Sequence, residues 1–168
     1  MTLHIRAAEP ADVPVIADLI RGLARFEKLE DEVKLTEALL AAGLFGPHPY
    51  AESVLAEVEG QPVGFALFFH NFSTFLARPG IYLEDLFVLP EHRGLGVGRA
   101  LLTHLARLAV ERGCGRLEWA VLDWNKEAIS FYERLGARAN SEWTTYRVTG
   151  EALDLLARGS PSRDRLEI

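Results

Sequence analysis

The stretch LPEHRGLGVGRALL, Leu89 to Leu102, alternates glycines at 94, 96 and 98 between an apolar run and a helical pattern, with Arg93 and Arg99 on either side. Glycine reaches φ > 0 and lets main chain approach a ligand closely. Successive N–H groups in such a turn, leading into a helix N-terminus, make an anion cradle suited to a diphosphate. A tight turn without a ligand would use the same glycines. Two familiar phosphate loops do not fit the spacing. No Gly-Lys-Ser/Thr follows, as a Walker loop requires. The third glycine is misplaced for a dinucleotide fingerprint, which would also belong in the first strand–helix unit rather than beyond mid-chain.

Working outward, IYLEDLFVLP before the glycines reads as a strand, and Leu101, Leu105 and Leu108 after them set a helical stripe to about Arg112. RLEWAVLDW is a further strand, NKEAISFYERLG a short helix with Gly136 as its C-terminal cap, and SEWTTYRVTG a late strand. EALDLLARG is a final helix, and the residues from about 160 to 168 form a frayed tail. Upstream, Leu3 to Arg6 is a first strand. Asp12 as cap and Pro14 in the first turn open a helix whose stripe runs from Val15 to Phe26. EKLEDEV is solvated, and Thr36 caps a second helix. SVLAEVEG and VGFALFFHNF form a hairpin around EGQP. The order β-α-α-β-β-β-α-β-α-β predicts an α/β (α+β) fold, a mixed sheet with helices on its faces, in one domain spanning residues 1–168.

Bulk properties narrow the function. A chain of 168 residues buries a core without staples, and a net charge of -6 argues against a nucleic-acid partner. The single cysteine, Cys114, excludes an internal disulfide and fits a reducing compartment. The first residues lack the apolar segment of a signal peptide, and the longest apolar run, Val63 to Phe69, is too short to span a bilayer. A cytoplasmic protein without a membrane partner is expected. His4, His48, His70, His92 and His104 show no metal-ligand spacing, so no metal is expected either.

VLPEHRGLGVGRALL, Val88 to Leu102, resembles the acetyl-coenzyme A loop of the GNAT superfamily of N-acetyltransferases, with Arg93, Gly96 and Gly98 at the signature positions. WNKEAISFYERLGA, Trp124 to Ala137, is similar to that family's second signature, and IRAAEPAD to its usual opening. Over nearly its whole length the chain resembles the spermidine/spermine acetyltransferase group, through ARFEKLEDEVKLTE, FGPHPY, IYLEDLFVLPEHRG and VLDWN, and within it the thialysine N-ε-acetyltransferase branch. Polyamine-acting relatives carry an acidic residue in the loop before the LED strand. HNFSTFLARPG has Ser73 and Thr74 there, which favours a smaller, amino-acid-like amine.

The resemblance implies a mostly antiparallel sheet whose strands splay at the cofactor site, with acetyl-coenzyme A as acetyl donor. It assigns the donor to Arg93, Gly94, Leu95, Gly96, Val97, Gly98 and Arg99, with Asn125, Ala128 and Tyr132 from the second signature. For Asn125 a plain helix cap is an equal reading. Main chain from Leu86, Phe87 and Val88 would receive the pantetheine arm and offer N–H donors to the carbonyl oxygen. Phe26, Glu27, Glu84, Glu118 and Trp119 match substrate-lining positions, and homodimers are typical of the group.

Acyl transfer to an amine makes its own demands. An alkylammonium must lose its proton against about 3.4 pH units at pH 7, roughly 4.6 kcal/mol. The resemblance places Glu84 beside the acceptor amine as candidate proton acceptor, a structural ion pair being nearly as good a reading; for Asp85, expected on the opposite strand face, the ion pair is the better one. The leaving thiolate needs a proton, for which Tyr132 matches the family's general acid. Phenol at ~10 against thiol at ~8.5 makes full transfer uphill by about 2 kcal/mol, so the site must help or the hydroxyl donates only a hydrogen bond. The leading expectation is direct transfer to a small cationic amine in a ternary complex. A non-catalytic acyl-coenzyme A sensor and an acetyltransferase of protein N-termini or lysines remain alternatives.

Overall fold

The computed structural model describes residues 1–159; the expected tail lies outside the described residues. The chain divides into two compact units, Met1–Trp124 and the part from Asn125 onward.

In the first unit the elements follow the predicted order: β1 (Leu3–Ala7), α1 (Val13–Phe26), α2 (Glu37–Phe45), β2 (Glu52–Val58), β3 (Gln61–Ser73), β4 (Arg78–Val88), α3 (Val97–Glu111) and β5 (Leu117–Trp119). The strands lie side by side in sequence order. The first three pairings are antiparallel and β4 with β5 is parallel, giving the mixed α/β class expected. The parallel pair needs a crossover, which α3 supplies.

Helices cover both faces of the sheet. Ile16 and Leu19 of α1 and Leu44 of α2 pack with Leu55, Phe65 and Phe87 on one face. α1 comes so close that a Cβ at Gly22 would lie 2.9 Å from the Phe87 ring. Val88, next along the strand, turns to the other face, where its side chain lies near Gly98 of α3. Leu101 and Leu105 of α3 are fully buried.

Several local expectations are met. Glu59 and Gly60 make the β2–β3 turn with φ of 50° and 79°. The Thr36 hydroxyl accepts from the Leu39 N–H at 3.2 Å and caps α2. Asp12 departs from its expected role. A 3₁₀ turn, Pro10–Asp12, runs straight into α1, so Asp12 already has helical φ and ψ and makes no cap bond to that helix. Its carboxylate instead takes both Arg6 amino groups, at 2.8 and 2.9 Å, and the Glu9 N–H at 2.7 Å. Arg6 also reaches Glu57 on β2 at 2.8 Å, pinning the first sheet edge to the start of α1.

The second unit holds α4 (Lys126–Arg134) and α5 (Gly150–Ala157). Gly136, with φ of 93°, ends α4 as expected. The predicted strand over 141–150 is not found. Its residues favour β structure, but no described strand pairs with it, and a strand without a ladder partner has nothing to hold it. Likewise the strand predicted over 116–124 shrinks to β5, because its pairing with β4 stops at Leu83 and Trp119. No helix among the described residues is long and apolar enough to cross a membrane.

Candidate active site

The β3–β4 ladder carries one irregularity. Leu67 pairs with Asp85 and Phe68 with Leu83, which leaves Glu84 as an extra residue, a β-bulge. Two hydrogen bonds show its effect on the main chain. The Ile81 N–H donates to the Arg116 carbonyl on the β5 side, whereas the Leu89 N–H donates to the Val63 carbonyl on the β3 side. Both are odd-numbered, so the direction of the amides reverses between them. Past the bulge, the N–H groups of Leu86 and Val88 point away from β3, towards an edge that β5 no longer covers. The Phe87 N–H is committed to the β3 ladder and its side chain to the core, so of the three expected donors only Leu86 and Val88 face the open edge. This is the splay expected between β4 and β5.

The bulge also regroups side chains. Phe87 faces α1, and Asp85, two residues before it and opposite Leu67, shares that face. Tyr82, opposite Phe69, faces the same way, and so does Glu84, two residues on. Glu84 and Asp85 therefore stand on one face, not opposite ones. The sequence expectation for Asp85 is corrected: strict alternation fails where a residue is inserted.

Asp85 is the most perturbed acid here. Burial first, then the charges of Glu84 and Glu27, push its carboxyl up to about 6, and no basic side chain pairs with it among the described residues. Burial also raises Glu27, where α1 ends. The Tyr82 hydroxyl is raised by burial and by Glu84 and Glu118. Glu84 itself is exposed. A partly buried carboxylate with no cation beside it is costly and marks a candidate proton-transfer group. Nothing in the sequence singles out Asp85 except its place after Glu84.

Phe26, Glu27, Glu84 and Glu118 thus join a single acid-lined face. Glu118 is already engaged, paired with Arg116 at 2.8 Å and accepting from the Asn71 amide at 3.1 Å. Trp119, one residue on, turns to the other face by strand alternation. Phe26 meets Trp124 with ring centres 5.9 Å apart. Above Phe26, at 4.5 Å, lies the Arg93 guanidinium, whose Nε donates to the Val88 carbonyl at 3.0 Å. Arg93 thereby ties the glycine turn to the end of β4.

In that turn Gly94 and Gly96 have φ of 76° and 84°, and a Cβ at either would meet nothing within 4 Å. The main chain is bare. Leu95 is exposed, whereas the Val97 side chain is buried, so only its amide can serve a ligand. Gly98 lies in the first turn of α3 with ordinary φ, and Arg99 is exposed beside it. In the second unit, the Asn125 side chain accepts from the Ala128 N–H at 3.2 Å, which is the plain cap left open from sequence. Tyr132 stands near the end of α4 beside Phe131, ring centres 5.6 Å apart.

Comparison with known proteins defines the class. The acetyltransferase (GNAT) family pattern matches residues 16–137. A thialysine N-ε-acetyltransferase of Sus scrofa is 42% identical over 164 residues, covering 91% of this chain and 96% of that protein. An L-ornithine N5-acetyltransferase of Arabidopsis thaliana is 36% identical, covering 93% and 88%. Among solved structures, an integron cassette protein from the mobile metagenome of V. cholerae superposes with a TM-score of 0.79 at 29% identity, covering 94% of this chain and 99% of that one. The chain belongs to the acetyltransferase (GNAT) family. It is an enzyme of the acyl-transferring class.

Proposed function

We propose that the chain moves an acetyl group from acetyl-coenzyme A to the primary amine of a small cationic, amino-acid-like or diamine substrate, by direct attack in a ternary complex. The observation that carries this reading is the acid-lined face around Asp85, with Glu84, Glu27 and the Phe26 ring beside it. Carboxylates next to an aromatic wall suit an alkylammonium. Support comes from relatives named for acetylating thialysine and ornithine, both amines on amino-acid side chains.

The bare turn fits the donor's diphosphate. The amides of Gly94 to Gly98, at the N-terminus of α3, would hold it, with Arg93 and Arg99 as charge partners. The outward N–H groups of Leu86 and Val88 would receive the pantetheine arm and steady the carbonyl oxygen as it gains charge. Bound there, the donor supplies an activated thioester, whose C–S bond breaks as the amide forms.

Residues of the chain handle the protons. The ammonium's proton passes to the Glu84–Asp85 pair, Glu84 by family resemblance and Asp85 by its burial. Tyr132 donates to the leaving thiolate, an assignment resting on the motif Trp124–Ala137, as do those of Asn125 and Ala128 to the cofactor. We further propose one working domain, since the family pattern runs through residues 16–137, and a cytoplasmic homodimer. The dimer has support in exposed aromatics: Trp143 and Tyr146 are 78% and 92% exposed in a stretch that is neither helix nor strand.

The test is a panel of lysine, thialysine, ornithine, diamines and polyamines with acetyl-coenzyme A, read by thiol release and product mass. Turnover with the diamino acids supports the reading. Turnover with peptides alone would replace it by protein acetylation, and donor binding without turnover by a sensor.

A further inference from the structure

A cavity of about 490 Å³ opens along the first half of α3, between that helix and Ile5 of β1, with Gly96 at its head. Arg99, Thr103, His104 and Arg107 line it. Arg99, Thr103 and Arg107 are four residues apart, one polar stripe, while Leu101, Leu102 and Leu105 bury the opposite side of the helix. Neither Arg99 nor Arg107 forms a salt bridge among the described residues, although acids outnumber bases in the chain by 24 to 18. The positive end of the helix adds to their field.

We propose that this groove is a phosphomonoester site and that, resting on the acetyl-coenzyme A reading, its occupant is the 3′-phosphate on the donor's ribose. The glycine turn and the groove share Gly96, so a ligand whose diphosphate lies on the turn has its second phosphate group within reach of the stripe. Arg side chains on a helix lean towards its N-terminus, which brings Arg107 back along the groove. A doubly charged phosphate offers these planar donors paired hydrogen bonds. The site thus recognises the phosphorylated end of the donor, separately from the thioester end at β4.

Calorimetry with coenzyme A and with dephospho-coenzyme A, which lacks only the 3′-phosphate, tests this. The expected result is tighter binding of coenzyme A by about ten- to a hundredfold. Arg107→Ala should cut coenzyme A affinity towards the dephospho level and leave dephospho-coenzyme A affinity where it was. Equal affinities in the unaltered chain, or an equal loss for both ligands in the variant, would overturn the proposal while leaving the donor reading intact. Should neither coenzyme bind, the donor reading fails, and adenosine 3′-monophosphate against adenosine becomes the probe. Binding of the monophosphate alone, abolished in Arg107→Ala, then keeps the phosphomonoester site; no binding removes it. Inorganic phosphate competing as well as the nucleotide would make the occupant free phosphate rather than the donor.

Discussion

Asp85 stands opposite Leu67 in the β3–β4 ladder, and this pairing puts its carboxylate on the α1 face beside Glu84. Two acids meet there because one residue was added to a strand. Burial and like charge hold Asp85 near 6, above the ordinary aspartate range.

The raised Asp85 carboxyl makes stability depend on pH. Between pH of about 4 and 6 the native chain holds a proton that the unfolded chain has released, so Asp85 makes stability fall as pH rises through this window and keeps it lowered above. Asp85→Asn should therefore stabilise the fold at pH 7 by roughly 2–3 kcal/mol, because each pH unit separating the native from the unfolded carboxyl is worth about 1.4 kcal/mol. Below pH 4 it should bring no gain. Urea unfolding at both pH values measures the difference. The same variant should acetylate amines about 10²-fold more slowly; an unchanged rate would leave Glu84 as sole proton acceptor.

Tyr132→Phe removes a hydroxyl and little else. Turnover should drop by about 10²–10⁴-fold while coenzyme A affinity holds. Steady-state rates paired with calorimetry separate the two quantities. Full turnover in the variant would strip Tyr132 of the acid role.

Gly96→Val places a branched side chain at φ of 84°, where a Cβ otherwise meets open space. The strain costs roughly 1–3 kcal/mol, and the new methyls stand where a diphosphate would lie. Coenzyme A affinity should fall at least about tenfold with the circular dichroism spectrum unchanged. Normal affinity would mean that the ligand uses another surface.

Much of this was legible in residues. Strand and helix order up to β5 followed from hydrophobic period, Thr36 from its place before TEALL, and a glycine turn into α3 from the alternation, although only Gly94 and Gly96 of its three glycines have positive φ. The bulge was not. No glycine or proline marks Glu84, and a period-two reading assigns its neighbour to the wrong face. Segment 141–150 shows the complementary limit: Trp143, Thr144, Thr145 and Tyr146 have strand propensity, but pairing decides, and local composition does not record a partner.

If that stretch serves a dimer, replacing both Trp143 and Tyr146 with Ser should yield a monomer of 18.7 kDa by light scattering, against twice that mass for the unaltered chain. An unaltered chain already monomeric at micromolar concentration would contradict the assembly.

The central claim is that the bare main chain at Gly94 and Gly96, with the first turn of α3 at Gly98, grips the donor. Glycine-selective ¹⁵N labelling gives 14 amide signals to watch during a coenzyme A titration. The account expects the signals of these three to move most and to gain protection from hydrogen exchange. Saturable binding that leaves all three unmoved while shifting other glycines would contradict it.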